Sequence, residues 1–205
     1  MTRATLYYVA DPMCSWCWGF APQLERVVAE LPGDVEVRHV MGGLAPDSDE
    51  PMPLETRASV QRAWDAVEAR AGVPFERSFW ERCEPRRSTY PACRAVVAAG
   101  LQNAGPAMFA AIQRAYYTQA RNPSDATTLI ELAAELGLDL DRFESDLRHG
   151  RAEELLRADL ALRDELGVTG FPTLVLEKDD ERRVVRAGYA TADEVQEALR
   201  EAGVA

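Results

Sequence analysis

The chain has 205 residues, 47 % of them hydrophobic, and a formal net charge of −11. That length suits one sizeable domain, or a small domain carrying an insertion, with enough apolar residues to bury a core. The acidic balance argues against a nucleic acid or an anionic membrane as partner, because both demand a basic surface, and reads as a solvated face that keeps the chain soluble.

No secretory signal is visible. Met1-Thr2-Arg3-Ala4-Thr5 runs straight into the first apolar stretch without an h-region or a cleavage site. No apolar run approaches the length of a membrane span. The expectation is a cytoplasmic protein, where structural disulfides are rare. Its four cysteines then read as reactive or buried thiols.

Thr5-Leu6-Tyr7-Tyr8-Val9 is short, aromatic and β-branched, the pattern of a buried strand. Leu24, Val27, Val28 and Leu31 share one face of a following helix, expected to end near Pro32-Gly33. Val35 to Val40 alternates apolar and polar, which marks a second strand. The three make a β-α-β unit with parallel strands and a right-handed crossover. Met41-Gly42-Gly43-Leu44-Ala45-Pro46 then leaves the sheet. The glycine pair reads first as an ordinary turn, with a close backbone approach as the alternative.

From Leu54 to about Leu166 helical signals replace strand signals. Val60, Ala63, Trp64 and Val67 form a stripe that stops at Gly72, and a shorter segment holds Phe75, Phe79 and Trp80. Pro91 opens a helix carrying Cys93, Val96 and Val97, whose end is expected to fray at Gly100 and Gly105. Met108, Phe109, Ile112 and Tyr116 make the next stripe. Ser124 or Asp125 is expected to cap the segment with Leu129, Leu132, Ala133 and Leu136. Leu140, Phe143 and Leu147 give a short helix, and Leu155, Leu156, Leu160 and Leu162 lead to a stop at Gly167. All these stripes read as core.

Strands return at Thr173-Leu174-Val175-Leu176-Glu177 and Arg183-Val184-Val185-Arg186. They flank Lys178-Asp179-Asp180-Glu181 as an antiparallel hairpin. Thr191-Ala192-Asp193-Glu194 has the spacing of a capping box at the start of a last helix. The class is α/β, in the order β-α-β, helices, β-β-α. Residues 1–46 and 167–205 would form the α/β domain and residues 47–166 an inserted helical domain.

Chemistry concentrates at Cys14-Ser15-Trp16-Cys17, where a strand hands over to a helix and free backbone N–H groups favour a thiolate. A Cys-x-x-Cys there reads as a redox site with Cys14 as the attacking end and Cys17 nearly one turn deeper. Ser15 and Trp16 are placed to tune it, by a hydroxyl near the sulfur and by the bulk of an indole. A zinc half-site is the competing reading, but Cys83, Cys93, His39 and His149 offer no matching close pair, so no metal is expected. Asp11 reads as a strand-ending group that satisfies loop N–H groups; a proton shuttle to Cys17 is the sharper alternative. Cys83 and Cys93 read as free thiols, the alternatives being a second redox pair or Cys93 facing the site from the helical block.

Three features carry a resemblance. Cys14-Ser15-Trp16-Cys17 starts the first helix, Pro22 stands five residues after Cys17, and Gly167-Val168-Thr169-Gly170-Phe171-Pro172-Thr173 matches a Gly-Val-x-Gly-x-Pro-Thr segment. The sequence so resembles the DsbA-like thioredoxin-fold oxidoreductases, in their cytosolic FrnE-like branch. The resemblance implies a thioredoxin fold with a large helical insertion and a cis Pro172 facing the cysteines. It also implies that Phe171 and Pro172 flank a client disulfide, with Trp16 offering apolar surface; Trp18 and Phe20 belong either to that surface or to the core. Partners would be client proteins or small thiols and disulfides, with a homodimer left open. No bound cofactor is implied, while glutathione or another low-molecular-weight thiol would serve as co-substrate. Two alternatives share the architecture. Glutathione-dependent 2-hydroxychromene-2-carboxylate isomerases and kappa-class glutathione transferases carry a serine where this chain has Cys14, and Asp11-Pro12-Met13-Cys14 resembles their Ser-Pro-x-Ser turn. A redox-inactive binding or chaperone module is the other.

Overall fold

In the computed structural model, which describes residues 4–204, the chain folds as β1 (Ala4–Ala10), α1 (Ser15–Ala29) and β2 (Val35–Met41), then a run of helices. These are α2 (Leu54–Ala71), α3 (Phe79–Arg82), α4 (Tyr90–Gly100), α5 (Gly105–Thr118), α6 (Ala126–Glu135), α7 (Leu140–Arg148) and α8 (Arg151–Glu165). The chain closes with β3 (Thr173–Lys178), β4 (Glu181–Ala187) and α9 (Ala192–Glu201). Met1, Thr2 and Arg3, read above as entering the first strand without a leader, lie outside the described residues, as does Ala205.

The sheet order is β2-β1-β3-β4, with β1 and β2 parallel and the other pairs antiparallel. β1 is central, which explains why it is apolar on both sides. Leu6, Tyr8 and Ala10 belong to one buried cluster and Tyr7 and Val9 to another. On the first face Tyr8 meets Phe20 of α1 and Phe109 of α5, with ring centroids 6.1 and 6.0 Å away. On the second face Leu166 and Val168, at and beyond the end of α8, pack with Tyr7, Val9, Val40 and Val175. Asp159 of α8 also accepts the Met41 N–H at 2.9 Å, fastening the helix to edge strand β2. The first cluster is continuous from the sheet into the helices.

Within the helical block Trp64 is the hub. Its ring lies 5.0 Å from Phe75, 4.9 Å from Trp80, 5.4 Å from Tyr116 and 5.5 Å from Tyr117. Each such aromatic pair adds about 0.5–1.5 kcal/mol beyond the area it buries. Most of the apolar stripe residues are core, as expected, but Val60 and Ala63 of α2 stay half-buried and Leu155 of α8 joins neither buried cluster.

Local stops follow the turn chemistry. Gly72 closes α2 at φ 70°, and the Thr191–Glu194 capping box forms at α9. The hairpin turns on Asp179 and Asp180, at φ 54° and 64°, the two positive values that a two-residue turn between right-twisted strands requires. Three expectations need correction. α1 ends at Ala29, short of Pro32-Gly33, because the chain tightens there through Glu30 N–H to Val27 O at 3.2 Å and Leu31 N–H to Val28 O at 3.3 Å. Gly105 opens α5 instead of fraying α4; a Cβ on it would stand 3.4 Å from the Gly100 Cα, so the two helices meet closely at glycine. Neither Ser124 nor Asp125 caps α6 through its side chain, since Asp125 pairs with Arg86 and the Ser124 hydroxyl donates to Ser88 O at 2.8 Å. Among the described residues no helix is long and apolar enough to cross a membrane.

Candidate active site

The turn after β1 sets the position of Cys14. The Asp11 carboxylate accepts the Met13 N–H at 2.8 Å and the Asp11 carbonyl accepts the Cys14 N–H at 3.0 Å, which closes a tight loop. Cys14 is thereby left as the N-cap of α1, with extended backbone (φ −84°, ψ 116°), and its carbonyl accepts the first helical bond from Trp18 at 3.1 Å. At the cap the sulfur faces N–H groups that have no partner within the helix.

The two thiols are separated electrostatically. The Cys14 pKa is lowered, chiefly because the Cys17 thiol donates to its sulfur, and also by the backbone N–H groups of Cys17 and Trp16; burial and the Asp11 charge oppose this. Cys17 is pushed well above the ordinary thiol value by burial, and then by the neighbouring Cys14. One cysteine is biased to thiolate and the other to thiol. Cys14 is 7 % exposed and Cys17 is fully buried.

The opposite wall comes from the segment before β3. The Phe171–Pro172 peptide is cis, and the Cys14 sulfur lies 3.7 Å from the Phe171 carbonyl. Thr173 Oγ1 donates to Gly170 O at 2.8 Å and Gly188 N–H donates to Pro172 O at 2.7 Å, which hold this loop from both sides. Gly42 supplies the room for it, because a Cβ there would stand 2.2 Å from the Phe171 ring. The Gly42 N–H donates to Ala10 O and its carbonyl accepts from Arg163, both at 2.7 Å. The glycine pair is therefore a close approach and not merely an ordinary turn.

A cleft of about 300 Å3 opens beside Cys14, lined by Ser15, Trp16 and Phe171 from the α/β elements and by Ser59, Val60, Ala63, Trp64 and Arg87 from the helical block. Pro172 is buried next to Phe171 in the same loop. Trp18 and Phe20 resolve toward the core: Phe20 is 1 % exposed, while Trp18 stacks on Tyr117 at 5.7 Å and donates to Pro74 O at 3.1 Å. Asp11 does the structural work expected of it. Besides Met13, it accepts the Leu44 N–H and the Thr89 hydroxyl, both at 2.6 Å. Cys93 is fully buried with its sulfur 3.5 Å from the same carboxylate, and Cys83 donates to Ala120 O at 3.1 Å; both are free thiols. Among the described residues no group of three His, Cys, Asp or Glu side chains gathers to hold a metal. Thr89 and Arg87 had no signature in the sequence. Each reaches the site from a segment more than 70 residues from Cys14, beside no motif.

A family model described as thioredoxin matches residues 7–195. The chain belongs to the thioredoxin family. A crystal structure of a Nitrosomonas europaea protein, provisionally named a protein disulfide isomerase, is 33 % identical, with 97 % of each chain covered and a TM-score of 0.87. The cytosolic disulfide reductase DsbM of Pseudomonas aeruginosa is 30 % identical, covering 98 % of this chain and all of that one at a TM-score of 0.80, and has also been solved with GSH. A curated relative, the ClpXP adapter protein SpxH of Bacillus subtilis, is 27 % identical over 191 residues; the match takes in 90 % of this chain but only 63 % of that protein's length. DsbA oxidoreductases and a 2-hydroxychromene-2-carboxylate isomerase follow at lower identity, as likenesses of fold alone. The thioredoxin-family α/β fold and the DsbA-like likeness both stand.

Proposed function

We propose that the chain is a thiol–disulfide oxidoreductase working through Cys14 and Cys17. The observation that carries this reading is the division of acidity between the two thiols at the start of α1, with the more acidic one facing the Phe171 carbonyl. The Cys14 thiolate attacks one sulfur of a disulfide RS–SR. The S–S bond breaks, RS⁻ leaves and takes up a proton, and a Cys14–S–S–R mixed disulfide forms. Cys17 then gives up its proton and attacks the Cys14 sulfur, releasing the second RS⁻. Two electrons have passed to the substrate, which ends as two thiols, while the protein holds a Cys14–Cys17 disulfide. The reverse sequence oxidises a dithiol.

Phe171, Pro172 and Trp16 would bound the substrate disulfide, and Ser15 stands beside the sulfur on the cleft wall. Residues 47–166 act as an inserted helical domain that supplies the far wall. Glutathione or another small thiol serves as co-substrate in a cytoplasmic setting, a reading supported by the disulfide reductase relative solved with GSH. The adapter name of the B. subtilis relative favours a second reading, a protein-binding module indifferent to redox state.

Trapping separates the two. In the Cys17→Ala protein, mixed disulfides should accumulate on Cys14 and disappear on reduction, while the wild type cycles between dithiol and disulfide. Absence of both trapped partners and cycling would sink the redox reading. A partner bound equally well by the Cys14→Ser, Cys17→Ser double variant would establish the module reading instead.

A further inference from the structure

The cleft beside Cys14 has an unusual charge inventory. Among its lining residues the only ionisable groups are Cys14 and Arg87. Acidic residues outnumber basic ones by 34 to 23 along the whole chain, yet none lines this cleft. Arg87 is exposed, and among the described residues it has no carboxylate partner. Its neighbours in sequence are committed elsewhere: Arg86 pairs with Asp125 and donates to Ser124 O, and Arg94 pairs with Asp47 and Glu153.

The backbone that presents Arg87 is fixed. On one side Arg86 is tied down by its ion pair; on the other, Ser88 O accepts the Ser124 hydroxyl at 2.8 Å, and Thr89 is bonded to Asp11 and to the Ala45 N–H. Asp11 in turn shapes the loop that places Cys14. The guanidinium and the sulfur thus hang from two arms of one hydrogen-bonded frame. A free guanidinium held on the wall of a reactive cleft is a preorganised fork for a carboxylate. Such a local cation also offsets the repulsion that a strongly acidic protein exerts on an approaching anion.

We propose that Arg87 receives a carboxylate of a small, negatively charged disulfide or thiol while the substrate sulfur faces Cys14. This substrate class rests on the thiol–disulfide reading above. The exchange chemistry is unchanged: the pre-reduced protein gives two electrons and two protons to RS–SR, forming the Cys14–Cys17 disulfide and two RSH. Arg87 takes no part in bond making. It orients and selects.

The test uses the full chain, pre-reduced, and follows its single-turnover oxidation by tryptophan fluorescence. Three disulfides are compared: glutathione disulfide (carboxylate-bearing), 2-hydroxyethyl disulfide (neutral) and cystamine (cationic). Arg87→Ala should lower the ratio of second-order rate constants for glutathione disulfide over 2-hydroxyethyl disulfide about tenfold, the scale of one lost charge-assisted contact. Arg87→Glu should lower it further and speed cystamine, whereas Arg87→Lys should recover part of the preference. An unchanged ratio in both Arg87→Ala and Arg87→Glu overturns the proposal and leaves the redox reading standing. A calorimetric titration of reduced glutathione into the Cys14→Ser protein reads anion binding without exchange. If the wild type reacts with none of the disulfides while that titration still depends on Arg87, the redox reading fails and the anion site survives. If neither reaction nor Arg87-dependent binding is found, both fall.

Discussion

At the scale of single residues, the behaviour of Cys14 follows from where its sulfur sits. The Cys17 thiol and two backbone N–H groups stabilise the charged form, whereas Cys17 is buried with no comparable help. Alkylation of the reduced protein by iodoacetamide should therefore be half-maximal at a pH below the ordinary thiol value of 9.0, with Cys14 as the modified residue. Cys17 should resist until the chain unfolds. A midpoint at or above 9.0 would contradict this assignment. Gly42 matters in a different way. Its missing Cβ makes room for the Phe171 ring at a distance no side chain tolerates, so Gly42→Ala must push the ring or the loop carrying it. Overpacking of this kind costs about 1–3 kcal/mol, but a shift near 1 Å in a reacting geometry costs up to about a hundredfold in rate. The expected result is a folded protein with slightly lowered Tm and exchange kinetics down at least tenfold; the effect on rate should exceed the effect on stability.

At the scale of elements, edge strand β2 carries an unusual burden. His39 lies between the Tyr8 and Phe109 rings, 5.2 and 5.6 Å away, with its Nδ1 buried and unpartnered among the described residues. Burial lowers its pKa from 6.5 to about 4. Between those values the unfolded chain takes up a proton that the folded chain refuses, so stability falls as pH drops through this window. The loss is on the order of 3 kcal/mol in full, and flat again below it. Denaturant titrations from pH 7 to 4 should show this slope in the wild type and a shallower one in His39→Phe. Equal slopes would mean that His39 is not the group responsible. The same strand shows what a sequence can reveal. Its alternation was legible because one face is buried, as was the hairpin, because a two-residue turn leaves few residue choices. The pairing of α8 with the second face of the sheet was not. Leu162 packs on that face and Leu160 on the first cluster, yet the two repeat like any amphipathic stripe, and nothing in that spacing says whether the covered surface is a helix or a strand. Gly105 misled for a related reason: a glycine that permits close helix contact looks the same as one that ends a helix.

At the scale of the whole molecule, the Cys-x-x-Cys and the loop before β3 were legible because each is local. The frame joining them to the helical block was not, since its bonds link residues that no motif connects. Asp11 is the junction. One carboxylate oxygen accepts Met13 N–H from the turn that carries Cys14, and the other accepts Leu44 N–H and the Thr89 hydroxyl from the entry to the helical block. Asp11→Ala would leave these buried donors unpaired, a loss of about 3 kcal/mol or more. Asp11→Asn is the sharper test. Its amide has one acceptor and one donor end, whereas the site presents an N–H to each of the two oxygens, so either orientation sets an N–H against an N–H. The asparagine should therefore destabilise nearly as much as the alanine despite matching shape. It should also remove the negative charge that opposes the Cys14 thiolate, lowering the pH at which Cys14 is alkylated. An asparagine variant with wild-type Tm and wild-type alkylation profile would show that Asp11 is a passenger, and that the sheet and the helical block hold the thiol in place by packing alone.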